Sequence, residues 1–312
     1  MVNINTVKKL WKNDRRGFFY ACFEYIVSTG VTNIIPDKEF LQLEYMLRFG
    51  KKIDFENPTT FNEKLQWLKI YNRNPEYSML VDKASVKEWV SEKIGTEYVI
   101  PTIGVWARSS DIPYDDMPEK FVLKCTHDSG SVVVCKDKCR FDREYASQRL
   151  DKACKRNMFW WGREWPYKNV EPRIIGEKYM EDLDDGNGEL TDYKFMCFNG
   201  VVKCIFTCTE RFSEGLKVTF FDRDWNKMPF ERHYPSSRVL IHKPKNLERM
   251  IELAEILSAG IPFVRVDFYE ANNNIYFGEM TFFPGNGMEE FSPAEWDGIL
   301  GSWIQLPTKR NK

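Results

Sequence analysis

Several common functional classes find no support in this sequence. Its eight cysteines have no Cys-x-x-Cys spacing, and its three histidines form no zinc-binding pattern. The net charge of -1 gives no overall electrostatic basis for binding nucleic acid or an anionic membrane. Internal repeats and low-complexity tracts are also missing. Without a secretory signal, we expect the cysteines to be reduced, buried thiols in a cytoplasmic protein.

Long hydrophobic runs are missing as well. The most apolar segment near the N-terminus, residues 16–27, is interrupted by Glu24 and is too short to cross a bilayer. We expect no signal peptide before it. The segment therefore predicts a helix that docks on another surface, and the sequence leaves open whether that surface is a membrane or a protein partner.

The chain contains enough hydrophobic residues to form a large core. Of its 312 residues, 43% are hydrophobic and 29% are charged, which fits one large domain or a few small ones. Thr60 and Glu63 have the spacing of a capping box and predict the start of an amphipathic helix. A later helix is expected to be capped by Asn246 and to end at Gly260.

Short apolar segments predict β-strands between these helices. The clearest hairpin turns at Asn199-Gly200, which is the strongest two-residue turn signal. Residues 82–94 predict a helix that ends at Gly95. Further strands are expected at residues 121–125, 132–135 and 173–180. Antiparallel strand pairs with helices between them indicate α+β subdomains and not a doubly wound sheet.

A second hairpin, over residues 263–281, is the most informative segment. If it turns at Asn273, Asp267 faces Glu279 directly. Two opposed carboxylates repel each other, and Mg²⁺ is a natural cation to place between them. Removal of one carboxylate should then relieve repulsion in the metal-free protein. Alternatively, the turn is shifted by one residue and both acids point to solvent.

A loop containing glycine, residues 126–131, follows the strand that ends near Lys124. Such a turn can direct backbone N–H groups and hydroxyls at a phosphate, with the lysine adding charge beside it. It lacks the spacing and the following helix of a Walker A motif. A plain hairpin turn is the alternative interpretation.

Eight stretches of the chain carry a family resemblance. They are residues 57–69, 80–83, 121–131, 162–169, 176–179, 192–194, 262–269 and 276–285. In these stretches the sequence resembles ATP-grasp proteins, and specifically the TupA-like branch named for teichuronopeptide biosynthesis in bacterial surface-polysaccharide gene clusters. The resemblance implies an α+β ATP-grasp fold, in which two α+β subdomains clasp ATP, and it implies ATP and Mg²⁺ as cofactors.

The resemblance also implies how ATP is held. The implied phosphate-binding residues are Lys83, Lys124, Ser129, Gly130 and Ser131. The implied adenine-binding residues are Glu177, Lys178, Tyr179 and Met180. Asp192 stands where the family usually places an acid on the ribose hydroxyls, and Glu189 is a near alternative.

Metal binding and catalysis are implied by the same comparison. Asp267 and Glu279 match the Mg²⁺ carboxylates, and Thr281 stands where many family members have an asparagine ligand. This departure puts tight binding of two metal ions in doubt. Arg265 and Lys124 are the implied catalytic residues, because fixed positive charge stabilises the anion that develops during transfer.

Four residues are candidates for contact with the other substrates. Gly285 matches a loop that shapes the acceptor end of the site, and Arg163 lies among aromatic residues that suit a sugar. Arg211 and Lys217 are candidates only because of where they lie in the sequence. Arg211 could contact an anionic substrate, and Lys217 could contact the γ-phosphate. Packing is the alternative role for the neighbouring tryptophans, Trp160, Trp161 and Trp165.

The resulting prediction is an ATP-dependent carboxylate–amine ligase of surface-polysaccharide biosynthesis. Its partners would be an amine or amino acid and a carboxylate-bearing sugar such as a uronic acid, without nucleic acid but with possible docking to membrane-bound machinery. A glycosyltransferase, a sugar kinase and a non-catalytic binding module are the alternatives. The expected regions are a helical N-terminal region over 1–75 and a helix with a linker over 76–118. Two ATP-grasp subdomains follow, one over 119–181 with the phosphate loop and one over 182–312 with the Mg²⁺ hairpin.

Overall fold

The computed structural model describes residues 14–182, 190–209 and 215–309. Three helices come first in the described chain: α1 (Arg15–Ser28), α2 (Asp37–Phe49) and α3 (Phe61–Tyr71). The predicted capping box is confirmed at the start of α3. Thr60 accepts a hydrogen bond from the backbone N–H of Glu63, whose carboxylate accepts one from the backbone N–H of Thr60.

A four-stranded antiparallel sheet follows, in the order β1-β4-β2-β3. Its strands are β1 (Thr102–Trp106), β2 (Phe121–Cys125), β3 (Val133–Cys135) and β4 (Ile174–Lys178). The helices in this part of the chain are α4 (Glu76–Val81), α5 (Val86–Ile94), α6 (Arg143–Cys154) and α7 (Phe159–Gly162). A separate small core, which includes Phe121, Leu123 and Leu150, holds α6 against this sheet.

The second large sheet has five antiparallel strands in the order β10-β9-β5-β6-β7. They are β5 (Thr191–Phe198), β6 (Val201–Thr209), β7 (Lys217–Phe221), β9 (Phe263–Ala271) and β10 (Asn274–Thr281). The remaining elements are β8 (Glu231–Arg232), α8 (Leu247–Ser258), β11 (Phe291–Ser292) and α9 (Glu295–Trp303). The prediction of α+β subdomains is therefore confirmed.

Local signals agree with the structure to different degrees. The Asn199-Gly200 turn has the positive φ values, 51° and 81°, that this hairpin type requires. Asn246 precedes α8 but makes no side-chain capping bond. Its amide donates instead to Glu270 at 2.6 Å, so it joins the helix start to β9.

The helices at the N-terminal end share a core with the five-stranded sheet. The ring of Phe61, on α3, packs edge-to-face on Phe263 with 4.9 Å between ring centres, and it also contacts Phe198. Aromatic pairs of this kind add about 0.5–1.5 kcal/mol to the gain from burial. The α1–α3 helices are thus anchored beside the sheet that carries Asp267.

The N-terminal apolar segment forms α1, a helix of 14 residues. In the described ranges, none of the helices combines the length and apolar character needed to cross a bilayer. Two of the eight cysteines, Cys22 and Cys139, are exposed thiols. The expectation of buried thiols is therefore wrong for these two positions.

Candidate active site

The hairpin of β9 and β10 brings the two predicted acids together. Asp267 pairs directly with Glu279, and Arg265 pairs with Thr281. The turn itself lies at Asn272-Asn273, so its centre is displaced from the predicted one. A β-bulge between Phe277 and Glu279 adds one residue and restores the predicted pairing.

Arg265 lies between the two carboxylates. Its Nε and Nη2 donate to Oδ1 and Oδ2 of Asp267 at 2.6 and 2.7 Å, and Nη2 also donates to Oε1 of Glu279 at 2.8 Å. The side chain of Asp267 is only 1% exposed, whereas that of Glu279 is 37% exposed. The bidentate geometry fixes the guanidinium in one orientation, and its charge offsets the repulsion expected between the acids.

Four cationic side chains from four strands and loops act on Glu279. Burial alone would raise its pKa, but Lys83, Arg265, Lys194 and Lys124 together lower the pKa of Glu279 to about 2. The elements that carry these residues are far apart in sequence, since they include β2, β5 and β9. Lys83 and Lys124 were predicted to bind phosphates, and the structure brings both into the electrostatic range of the hairpin acids.

Lys194 is a site residue that sequence reasoning missed. It lies opposite Asp267 in the β5–β9 ladder, and its Nζ donates to the carboxylates of Asp267 and Asp192. Burial raises the pKa of Asp192, and the charge of Lys194 opposes that effect. The sequence does contain a signal for this residue, because Lys194 lies between Tyr193 and Phe195 in a predicted strand. A lysine that is buried in such a strand nearly always has an acidic partner.

Glu177 also has cationic partners. Its carboxylate oxygens bind Nζ of Lys87 at 2.5 Å and Nζ of Lys124 at 2.6 Å. Burial would raise the pKa of Glu177, but the two lysines lower it. Glu177 therefore holds Lys124 in place at the end of β2. Lys87, on α5, is a second residue that sequence reasoning did not identify.

Of the three residues in the 126–131 loop that are predicted to bind phosphate, two are exposed and one is buried. Ser129 and Gly130 are exposed, and a Cβ at Gly130, where φ is 93°, would have no atom within 4 Å. The Ser131 hydroxyl is buried, donates to Asp128 at 2.6 Å and accepts from the N–H of Cys125 at 2.9 Å. Ser131 thus shapes the loop, while the exposed positions are open to a ligand.

Lys83 is attached to the same loop. Its backbone N–H donates to the carbonyl of Thr126 at 3.0 Å, and its Nζ donates to the carbonyl of Asp128. The loop and the start of α5 are therefore held as one unit. This unit, Lys124 and the β9–β10 hairpin therefore each contribute a cationic side chain that acts on Glu279.

Comparison with known proteins decides the family. A profile described as TupA-like ATPgrasp matches residues 63–305, which is most of the chain. The chain belongs to the TupA-like ATP-grasp family. The predicted family and fold are thus confirmed, while a search of curated proteins found no significant match.

Solved structures of similar proteins include two ATP complexes. A D-alanine–D-alanine ligase from Bacillus anthracis, complexed with ATP, is 14% identical, with 65% of this chain and 54% of that one covered and a TM-score of 0.38. A biotin carboxylase from Campylobacter jejuni, in a β-γ-ATP complex, is 16% identical, with 74% and 48% covered and a TM-score of 0.41. This ATP-grasp chain thus spans about half the length of these two proteins.

The predicted adenine segment of this ATP-grasp protein leaves the end of β4. Lys178 is exposed, and its backbone N–H donates to the carbonyl of Pro101 at 3.0 Å, whereas Tyr179 and Met180 are half-buried. The next residue, Glu181, accepts at its carbonyl from Asn272 Nδ2 at 2.8 Å. The segment is thus connected to the turn of the β9–β10 hairpin, between the two large sheets.

Two of the predicted substrate contacts are wrong. Arg163 is fully buried, donates to the carbonyl of Thr32 at 2.8 Å and stacks over the ring of Phe40 at 4.1 Å. It holds α7 against the N-terminal helices and offers no surface to a substrate. Lys217 pairs with Thr209, and strand alternation puts it on the opposite face of the sheet from Lys194.

The other two substrate predictions have different outcomes. Arg211 lies outside the described residues. Gly285 is exposed, has a φ of 56° and follows β10 in a 3₁₀ turn over Pro284–Gly287. A Cβ there would come within 2.1 Å of the Glu289 carboxyl group, so a larger residue would have to displace that side chain. Contact between Gly285 and a substrate stays a prediction.

The oxygen ligands near the hairpin fit a hard cation such as Mg²⁺. The Thr281 hydroxyl lies 3.2 Å from Oε1 of Glu279, so two oxygen donors stand side by side on β10. Asp267 fits less directly, because Arg265 and Lys194 already bind its carboxylate. Over the described parts of the chain, no cluster of three His, Cys, Asp or Glu side chains suits a metal. Phosphate and water would have to complete the coordination.

Proposed function

We propose that this protein is an ATP- and Mg²⁺-dependent carboxylate–amine ligase. The observation that carries the proposal is the convergence of Lys83, Lys124, Lys194 and Arg265 on Glu279. Fixed cations from several elements suit phosphoryl transfer, because that reaction needs positioning and charge neutralisation and no side-chain nucleophile.

The proposed reaction has two steps. A carboxylate oxygen of the first substrate attacks the γ-phosphorus of ATP, ADP leaves, and an acyl-phosphate forms. The nitrogen of the second substrate then attacks the acyl carbon, the bond from that carbon to the phosphate oxygen breaks, and phosphate and a proton are released. An amide joins the two substrates.

The residues divide between binding and catalysis. Lys83, Lys124 and the exposed residues Ser129 and Gly130 would bind the ATP phosphates, while Arg265 would stabilise charge that develops at the transferred group. Bound Mg²⁺ would neutralise the phosphate oxygens, and Glu279 with Thr281 would hold it, joined by Asp267 if its ion pairs exchange.

The proposed nucleotide-binding segment supplies the remaining contacts. The backbone of Lys178, Tyr179 and Met180 would meet adenine at the junction of the two sheets. Glu177 would act indirectly, since its carboxylate already holds Lys87 and Lys124. Lys194 holds Oδ2 of Asp192 at 2.5 Å, and Oδ1, which has no hydrogen-bond partner, is the oxygen that would meet the ribose.

We place the reaction in cytoplasmic synthesis of a capsule, exopolysaccharide or teichuronopeptide-type polymer. The family resemblance supports this pathway, in which a uronic acid would supply the carboxylate and an amino acid or other amine the nitrogen. A glycosyltransferase is disfavoured, because Asp222 of the Asp222-Arg-Asp224 sequence accepts from the N–H groups of Asp224 and Asn226 and so closes a turn.

A hydroxylamine trap tests the ligase proposal. The protein is incubated with Mg-ATP, hydroxylamine and a panel of uronic acids and amino acids, and hydroxamate and ADP are measured. We expect a carboxylate that yields both products in equal amounts. A stable phosphomonoester without hydroxamate would show a sugar kinase, and absence of ATP turnover with every carboxylate would contradict an enzyme of this kind.

A further inference from the structure

A cavity of about 460 Å³ lies between α1, α2, α7 and the loop that contains Gly285. It is separate from the phosphate loop, and none of the described residues that we assign to ATP lines it. Its apolar and aromatic walls include Tyr20, Phe23, Met158 and Trp161. These side chains offer ring-sized surfaces, of which Trp161 is 45% exposed.

The polar lining of the cavity is mainly acidic. It contains Glu24, Glu44, Glu164 and Glu289, with Arg48 and His233 as the basic residues. Glu289 is bound to Arg232 at 2.8 Å, which satisfies much of its charge. Glu24, Glu44 and Glu164 are the other acids of the lining, and Arg48 acts on Glu24 while Lys69 acts on Glu44 and Glu164.

Glu44 is the residue that points to a ligand. It is 3% exposed, and its Oε1 accepts from Asn286 Nδ2 at 3.0 Å. Its Oε2 is buried and makes no hydrogen bond of ordinary geometry, although the carboxylate also interacts with the side chain of Tyr20. An unsatisfied buried acceptor costs roughly 1–3 kcal/mol, and more when it is charged. A donor that entered the cavity and bound Oε2 would recover that free energy.

Glu164 relates the cavity to the proposed reaction centre. This residue lines the cavity, and after burial and Lys69 its pKa is also affected by the charges of Arg265 and Glu279. The cavity therefore lies within electrostatic range of the β9–β10 hairpin.

We propose that this cavity binds the amine substrate as a primary ammonium ion, with Glu44 Oε2 as its buried partner and Tyr20 and Trp161 against its organic body. The inference rests on the proposed ligase function. It also assigns a role to the N-terminal helices, since Tyr20 and Glu44 precede residues 63–305, which the family profile matches.

The protonation of Glu44 and Glu164 in the protein without ligand supports this assignment. Burial raises the pKa values of Glu44 and Glu164 to about 7, although Lys69, on α3, opposes the effect for both. Glu24 on α1 raises the pKa of Glu44 further, and Arg163 lowers it. Near neutral pH the empty cavity therefore holds protons that a bound ammonium ion would replace.

The test compares charged and neutral probes on the full chain with Mg-ATP. Glucosamine, D-alanine and glycinamide are the amines, and glucose, lactate and N-acetylglycinamide are their counterparts without an ammonium group. We expect at least one amine to bind in calorimetry when its counterpart does not. Failure of every amine to bind, or equal binding of the counterpart, would overturn the proposal.

Two variants locate the bound amine. Glu44→Gln should weaken amine binding about tenfold or more, with the Kd for ATP within about twofold of the original protein. Glu39→Gln, an exposed position on the same helix, is the matched control and should bind as the original protein does. Trp161→Ala changes an exposed wall residue and should weaken the same amine if Glu44→Gln folds poorly. Unchanged amine binding in both cavity variants would overturn the site.

The hydroxylamine trap separates this inference from the ligase proposal. Hydroxylamine is small and neutral, so Glu44→Gln should still form hydroxamate from the carboxylate and ATP. If Glu44→Gln traps hydroxamate normally and binds the amine normally, the cavity assignment fails and the ligase stands. If no carboxylate gives hydroxamate even in the original protein, the ligase proposal fails.

Discussion

Nη2 of Arg265 lies 2.8 Å from Oε1 of Glu279 on the neighbouring strand. The same guanidinium binds both oxygens of Asp267, so the protein itself provides a positive charge between the opposed acids. This changes what removal of one acid should do. In the metal-free protein, Glu279 is held by attraction to its cations and is not a source of net repulsion.

Glu279→Gln should therefore lower stability in the absence of metal. The folded-state pKa of about 2 lies below the ordinary value of 4.5, so the ionised group stabilises the fold above pH 4.5. That stabilisation is lost as the pH falls from 4.5 towards 2. Because the side chain is partly exposed, we expect a Tm decrease of only about 2 °C at pH 7.

Thermal unfolding of Glu279→Gln and the original protein across this pH range checks the prediction. The two Tm values should approach each other in acid. If Glu279→Gln were more stable than the original protein at pH 7, the result would support net repulsion between Asp267 and Glu279, as the sequence predicts. With Mg-ATP the variant should also lose most of the ligand-induced Tm increase and nearly all turnover.

Arg265→Ala should depress turnover far more than ATP affinity. Its guanidinium is fixed by Asp267 and Glu279, and its proposed role is on charge that develops during transfer. We expect kcat to fall about 100-fold or more while the Kd for ATP changes less than about threefold. Equal losses in both would assign Arg265 to ground-state binding.

The same change should affect stability, which calls for a control. Asp267 is almost fully buried, and removal of one partner of a buried pair can cost about 3–5 kcal/mol, although Lys194 still binds Asp267. Arg265→Lys keeps one positive charge without the bidentate geometry. It should recover most of the lost stability and only part of the turnover.

Sequence patterns identified the parts of the site that depend on local periodicity. The pairing of Asp267 with Glu279 follows from strand alternation and a central turn, although the bulge at Gly278 was needed to produce it. Gly278 fits this position because a Cβ there would lie 3.0 Å from the Tyr269 ring and 3.2 Å from the Asp267 carbonyl. An isolated glycine within a predicted strand is a signal of a bulge, but it does not by itself specify the change of register that pairs Asp267 with Glu279.

Contacts between distant segments could not be predicted in the same way. Arg163 binds the carbonyl of Thr32, 131 residues away, and its aromatic neighbours are compatible with either packing or sugar binding. Glu44 gains its significance from Asn286, which is 242 residues away. Burial and partner choice at such positions are decided by tertiary packing, which composition and spacing do not specify.

Lys124→Ala should abolish the Tm increase that Mg-ATP produces. Lys124 ends β2 beside the phosphate loop, and Glu177 should remain paired with Lys87 in the variant, so the fold should be kept. At about 100 times its Kd, a ligand stabilises a protein by roughly 2.7 kcal/mol, which is easily detected. Lys152→Ala, at an exposed position on α6, is the control. An undiminished Tm increase in Lys124→Ala would contradict its assignment to the phosphates.

The last prediction concerns the pH dependence that Glu44 and Glu164 impose on the empty protein. Their folded-state pKa values of about 7 lie above the ordinary 4.5, so the folded protein binds more protons between these values. Stability should fall as the pH rises through this window and reach its full penalty above pH 7.

Glu44→Gln removes one of the two titrating groups and should raise Tm at pH 8 more than at pH 5. We expect a gain on the order of 1–3 kcal/mol at pH 8, because a shift of one pKa unit corresponds to about 1.4 kcal/mol. Glu39→Gln should leave the curve unchanged. Addition of a bound amine at pH 8 should stabilise the original protein and not Glu44→Gln, because the ammonium ion neutralises the carboxylate that the glutamine lacks. If the difference in Tm between Glu44→Gln and the original protein stayed constant from pH 5 to 8, Glu44 would not titrate in this range.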